Sequence, residues 1–255
     1  MLQVLVWRLG SGKIIAGGKE MKRYHHKYTL PAIITLLLLA IAFLLIGFFN
    51  FKRQTTLPPN SNSSAIGIQL NQDVDYVDLH KLQANGISFV YLKSTQGRSY
   101  FDENYLSYRD QILGTKLAFG SMILYSNEST PLQHYRYFFE KVGDNTGSLP
   151  ILLEPAVTSR SKRYLESMSQ FASMLEQRKK EVIVDVDYKY HKYFTPQTKF
   201  MSVDGKTPDK LKYSFWRYTT NGRVKNVNGL EKGVTMYAYN GTVGQYRQKY
   251  GQLTQ

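Results

Sequence analysis

The residues of this 255-residue chain that combine a reactive or binding type with a telling position stand where short apolar runs end. Glu154 closes LPILLE, and Asp185 and Asp187 close VIVDVD. Carboxylates in such places can give or take protons. Gln69 ends IGIQL, and Lys93 to Gln96 follow ISFVYL. Tyr125 follows LAFGSMIL, and Trp216 and Tyr218 lie in YSFWRY. Aromatic rings with a few placed polar groups can line a ligand site, and they are more often core packing. Asp185 and Asp187 also have a structural use, capping the next segment or pairing with Lys189 and Lys192.

Other chemistries lack their residues. The absence of cysteine excludes a disulfide framework and a Cys-ligated zinc module. His25 and His26 lie in the basic N-terminal tail, His80, His134 and His191 are isolated, and no pair shows ligand spacing. There is no G-x-S-x-G, and no G-x-G-x-x-G after the first strand. No metal and no cofactor is expected.

The elements that carry these residues alternate. From Ile66 the order is strand 66–70, helix 75–85, strand 87–92, helix from Asp102 to Leu113, strand 117–124 and helix 130–142. Then come strand 149–153, helix 161–180 with Leu165, Met168, Phe171 and Leu175 on one face, and strand 181–186. After that the pattern predicts no helix, only short strands in KFMSV, YSFWRY and VTMYAY. Five strand–helix units followed by three strands predict an α/β fold, an irregular (β/α) TIM-like barrel with its functional residues at the C-terminal strand ends. A doubly wound open sheet is the alternative.

Ahead of this domain, Leu30 to Phe51 is uncharged over 22 residues. A bilayer-spanning helix needs about 20, and a signal-peptide core is typically about 7–15. No small-x-small cleavage site follows closely. Arg8, Lys13, Lys19, Lys22, Arg23 and Lys27 precede the run and only Lys52 and Arg53 follow it, which predicts a single-pass membrane protein with residues 1–29 cytoplasmic and the C-terminal domain outside. Met21 opens MKRYHHKY, a good basic start, so residues 1–20 are suspected of preceding the true initiator. Residues 52–65, with two prolines, read as a polar stalk, and 66–255 as the folded domain. The net charge is +14, of which +7 lies in residues 1–53 and serves topology. Nucleic acid is therefore not expected as a partner. The remaining +7 suits anionic wall polymers, and the lack of cysteine fits an exported Gram-positive protein.

The strand-end motifs also carry a resemblance. GIQLN (67–71) followed by VDYVDL, FVYLKSTQG (89–97), LPILLEPA (149–156), FWRYTTNGRV (215–224) and VTMYAYNG (234–241) resemble, in order and spacing, the motifs of glycoside hydrolase family 25, the lysozymes (N-acetylmuramidases) that cut peptidoglycan. The resemblance implies a flattened (β/α) barrel and a site built from acids. Most glycosidases need one carboxylic acid to protonate the leaving oxygen and a second carboxylate at the oxocarbenium-like centre. At the family's acidic positions this chain has Gln69, Gln96, Ala156 and Thr235, and keeps only Glu154. The family's third-strand Tyr and His are absent from GSMIL (120–124). What the resemblance implies is a lysozyme-like domain that has lost hydrolysis and binds peptidoglycan or another envelope protein, with Tyr125, Trp216, Tyr218, Lys93 and Gln96 as sugar-binding candidates. The alternatives are an active divergent muramidase pairing Glu154 with Asp185 or Asp187, and a purely protein-binding module.

Overall fold

The computed structural model describes residues 28–52, 54–60, 64–74, 76–157 and 161–251. His25, His26, Met21 and the rest of the basic tail lie outside them, as does Asp75. The chain divides into two units, residues 1–49 and 50–255. In the first, α1 (Thr29–Lys52) contains a stretch, Leu30–Phe49, of mean hydropathy 3.0 with none of it buried. It is long and apolar enough to cross a membrane.

The second unit is a closed eight-stranded barrel. Its strands are β1 (Ile66–Leu70), β2 (Ile87–Gln96), β4 (Ala118–Tyr125), β5 (Ile151–Pro155), β6 (Val182–Val184), β7 (Lys199–Ser202), β8 (Phe215–Gly222) and β9 (Val234–Tyr239). They neighbour one another in the order β1-β9-β8-β7-β6-β5-β4-β2, and β2 closes the ring by pairing in parallel with β1. Only β9 runs antiparallel to its neighbours, and β3 (Tyr100–Phe101) is a short hairpin arm on β2. Helices α2 (Leu79–Ala84), α3 (Tyr105–Ile112), α4 (Pro131–Val142) and α5 (Lys162–Gln177) cover the outside.

Local chemistry sets the helix ends. Thr130 and Gln133 form a capping box on α4 with Pro131 in its first turn, and the Ser161 hydroxyl accepts from the Tyr164 N–H to start α5. Asp78 accepts from the Lys81 N–H, so α2 starts later than its pattern suggested. Asp102 does not cap α3. Its buried carboxylate instead accepts from the N–H groups of Gln72 and Asn104 and from the Tyr100 hydroxyl, tying the β1–α2 loop to β3.

Side chains alternate across each strand. The inward set, Phe89, Tyr91, Met122, Leu152, Ile183, Met201, Phe215 and Tyr237, fills the barrel, while Val90, Ile123, Leu153, Val184 and Trp216 face the helices. Gly67 and Gly120 make room for the interior rings: a Cβ on Gly67 would strike Phe89, and one on Gly120 would come within 2.8 Å of Tyr91.

Two expectations are corrected. Helical structure continues after β6, as a 3-10 helix at Tyr188–Tyr193 and as α6 (Val243–Tyr250). α6 closes the end opposite the strand C-termini, with Tyr246 stacked on Phe89 at 5.6 Å and Tyr250 against Phe215 at 5.6 Å. Residues 54–60 are not a free stalk. The Thr56 N–H donates to the Arg223 carbonyl (3.0 Å), and the Tyr218 hydroxyl donates to the Thr56 carbonyl (2.9 Å).

Candidate functional site

Alternation carries the inward faces up to the open end of the barrel. Two residues beyond Leu152, Ile183 and Phe215 come Glu154, Asp185 and Arg217. These three meet. The Arg217 guanidinium donates to Glu154 Oε1 at 2.8 Å and lies 3.2 Å from Asp185 Oδ2. Asp185 is buried, with 5% of its side chain exposed, while Glu154 and Arg217 keep about a fifth, at 23% and 21%. Burial opposes the charge on Arg217, but Asp185 and then Glu154 outweigh it and raise its pKa above the ordinary value. The group is a cation flanked by two acids.

Beside it, the Tyr237 hydroxyl donates to Gln69 Oε1 at 2.9 Å. Burial, reinforced by Glu154, lifts the Tyr237 phenol far above its ordinary range, so it stays a neutral donor. Thr235 shares the inner face of β9 two residues before Tyr237. Ala156 lies just past β5, where its N–H donates to the Tyr125 carbonyl (2.9 Å).

Among the described residues, the remaining candidates do not join this ion pair. Lys93 sits 4.7 Å over the Tyr100 ring. Gln96, with Arg98, Tyr100, Ser126, Glu128 and Ser129, lines a separate polar cavity of about 330 Å³. Asp187 is exposed, caps the 3-10 helix by accepting from the Lys189 N–H, and pairs with the Lys189 ammonium at 3.3 Å. That backbone hydrogen bond first, and the Lys189 charge after it, lower its pKa. The structural use expected for Asp187 is the one found, and it does not face the barrel interior with Glu154.

The aromatic candidates are corrected as sugar platforms. Tyr125, Trp216 and Tyr218 are buried on the outer face of the barrel. Tyr125 stacks between His134 (4.5 Å) and Phe171 (5.6 Å), and its hydroxyl bonds Ser167 at 2.7 Å. Trp216 packs on Tyr218 at 5.6 Å. None of the three offers an open ring face. Sequence reading missed Arg217 and Tyr237, although alternation from Phe215 marked Arg217 as inward. Among the described residues, no group of three or more His, Cys, Asp or Glu is placed to hold a metal ion.

The barrel has close structural relatives. It superposes on a family 25 glycosyl hydrolase from Bacillus anthracis with a TM-score of 0.64 at 20% identity, covering 77% of this chain and 97% of the other. A bacterial lysozyme from Streptomyces coelicolor gives 0.61 at 18% identity, covering 74% and 98%. A muramidase from Trichobolus zukalii gives 0.59 at 14%, covering 73% and 98%. At these identities the likeness is one of fold. No curated protein matches the chain. The sequence model of the Glycosyl hydrolases family 25 matches residues 68–227, which include Gln69, Glu154, Asp185 and Arg217. With more than half of its length matched, this chain belongs to glycosyl hydrolase family 25.

Proposed function

We propose that this chain is a membrane-anchored, extracellular lysozyme-like domain without glycosidase activity, which binds peptidoglycan or a cell-envelope protein as a scaffold or regulator. The observation that carries this reading is the ion pair of Glu154 with Arg217. A glycosidase needs a carboxylic acid that holds a proton for the leaving oxygen. In this structure Glu154 Oε1 instead accepts a charge-assisted hydrogen bond from Arg217. Gln69, Gln96, Ala156 and Thr235 supply no carboxyl where the family resemblance expects acids. Acid–base groups each contribute typically 10²–10⁴-fold, so losing several leaves little activity.

The α1 helix supports the anchor, and the basic residues ahead of it support an outside location for the barrel. Without Tyr125, Trp216 and Tyr218 as platforms, glycan contact falls to polar groups at the mouth and around Gln96. The experiment is retention on purified cell walls at low salt, using residues 54–255, whose barrel and core are complete without α1. Retention lost on adding soluble wall fragments supports glycan binding. No retention leaves an envelope protein as the partner.

One observation favours an active divergent muramidase: Asp185 is held beside Glu154 by the same guanidinium. In that reading a substrate would displace Arg217 and free two carboxylates. Hydrolysis that disappears in Glu154→Gln would select it.

A further inference from the structure

The positive charge of the outer domain is concentrated late in the chain. From Tyr188 to Gly251, twelve Lys and Arg stand against three acids, whereas residues 54–187 hold thirteen against fifteen. Part of the excess gathers on one rim. Lys206, Lys210 and Lys212 lie in the loop after β7, and Arg223 and Lys225 follow β8. β7 and β8 run parallel, so both loops leave the barrel at its open end. Asp204, Asp209 and Glu231 share these loops, and Asp209 pairs with Lys212 at 3.5 Å. Among the described residues, Lys206, Lys210 and Lys225 form no ion pair. Between Lys210 and Lys212, Leu211 is 94% exposed.

The same rim grips the chain just after α1. Arg223 Nε donates to the Gln54 carbonyl (3.0 Å), the Lys225 N–H to Thr55 Oγ1 (3.1 Å), and Thr207 Oγ1 to the Pro59 carbonyl (3.2 Å). Phe49 ends the apolar stretch of α1, and α1 itself ends at Lys52. Three helical rises to Lys52 and two further residues limit the reach from Phe49 to Gln54 to at most about 12 Å. Headgroups occupy roughly 5–8 Å beyond the hydrocarbon. The chain length alone thus keeps Gln54, which Arg223 holds, close to the headgroups of a membrane that α1 enters, where a Debye length is about 8–10 Å.

We propose that this rim docks on anionic phospholipid headgroups of the membrane that α1 enters, with Leu211 inserted between Lys210 and Lys212. Basic residues flanking an exposed apolar side chain match an interfacial contact. A hydrophilic wall polymer has no use for Leu211. The inference rests on the anchoring reading.

The test uses the full chain in lipid nanodiscs, carrying Leu211→Trp, with the parent chain as the reference for the native tryptophans. The added emission is expected to be quenched at least twofold by brominated acyl chains in phosphatidylglycerol-rich discs. It should not be quenched in phosphatidylcholine discs, nor after Lys206→Gln, Lys210→Gln and Lys212→Gln are combined. An added emission unquenched in the anionic discs, in a chain that resists alkaline carbonate extraction, overturns the docking face while the anchor stands. Release of the chain by carbonate overturns the anchor, and the docking face with it.

Discussion

Replacing Arg217 by Gln removes the guanidinium that joins Glu154 to Asp185 and leaves two acids facing each other at the barrel mouth. Breaking a buried ion pair by removing one partner costs about 3–5 kcal/mol. Asp185, at 5% side-chain exposure, feels most of that, while Glu154 at 23% is partly relieved by solvent. The low end, about 3 kcal/mol, is the expected loss. With a urea m-value of about 2 kcal/mol/M, the unfolding midpoint of residues 54–255 should fall by roughly 1.5 M. Adding Asp185→Asn should return more than half of it, because it removes the more deeply buried charge, and the non-additivity measures the coupling. A loss under about 0.5 kcal/mol would refute the ion-pair reasoning.

Three other outcomes follow from the packing. Gly120→Ala sets a methyl against Tyr91 and Leu149 Cβ at 2.8 and 2.9 Å, and should cost about 1–3 kcal/mol by overpacking, read from the same urea midpoint; a neutral variant would contradict the closed interior. Trp216 is the sole tryptophan of residues 54–255, so soluble wall fragments should leave its emission unchanged; a shift on binding would return it to the list of ring platforms. Burial raises Asp102 above the ordinary carboxylate value, against the hydrogen bonds from Gln72, Asn104 and Tyr100. Its contribution to stability is therefore complete below about pH 3.9 and lost as pH rises through the raised value, and Asp102→Asn should erase that step from a stability–pH profile.

The barrel was legible in the chain because its strands end on turn residues and its helices repeat apolar residues at helical spacing, as in α5. The site was less legible because residue type outweighed parity. Trp216 and Tyr218 drew attention as aromatics, yet Phe215 is inward, so alternation puts Arg217 in the barrel and its two neighbours outside it. The same rule placed Asp185 beside Glu154; Asp187 shares that parity, but β6 ends at Val184 and Asp187 caps the 3-10 helix instead. α6 escaped because it has eight residues, with only Tyr246 and Tyr250 buried. Its Thr242–Gln245 capping box was the available signal. The packing of residues 54–60 on β8 depends on hydrogen bonds to Tyr218 and Arg223, more than 160 positions away, which no local pattern encodes.

Hydrolysis of purified peptidoglycan tests the loss of catalysis most directly. Residues 54–255 and their Glu154→Gln variant are incubated with it, and new reducing ends are measured over a range of pH. Both proteins should release no more reducing ends than the blank at any pH. Release by the parent protein that is abolished in Glu154→Gln would show that Glu154 still acts as an acid despite Arg217, and would contradict the inactive reading.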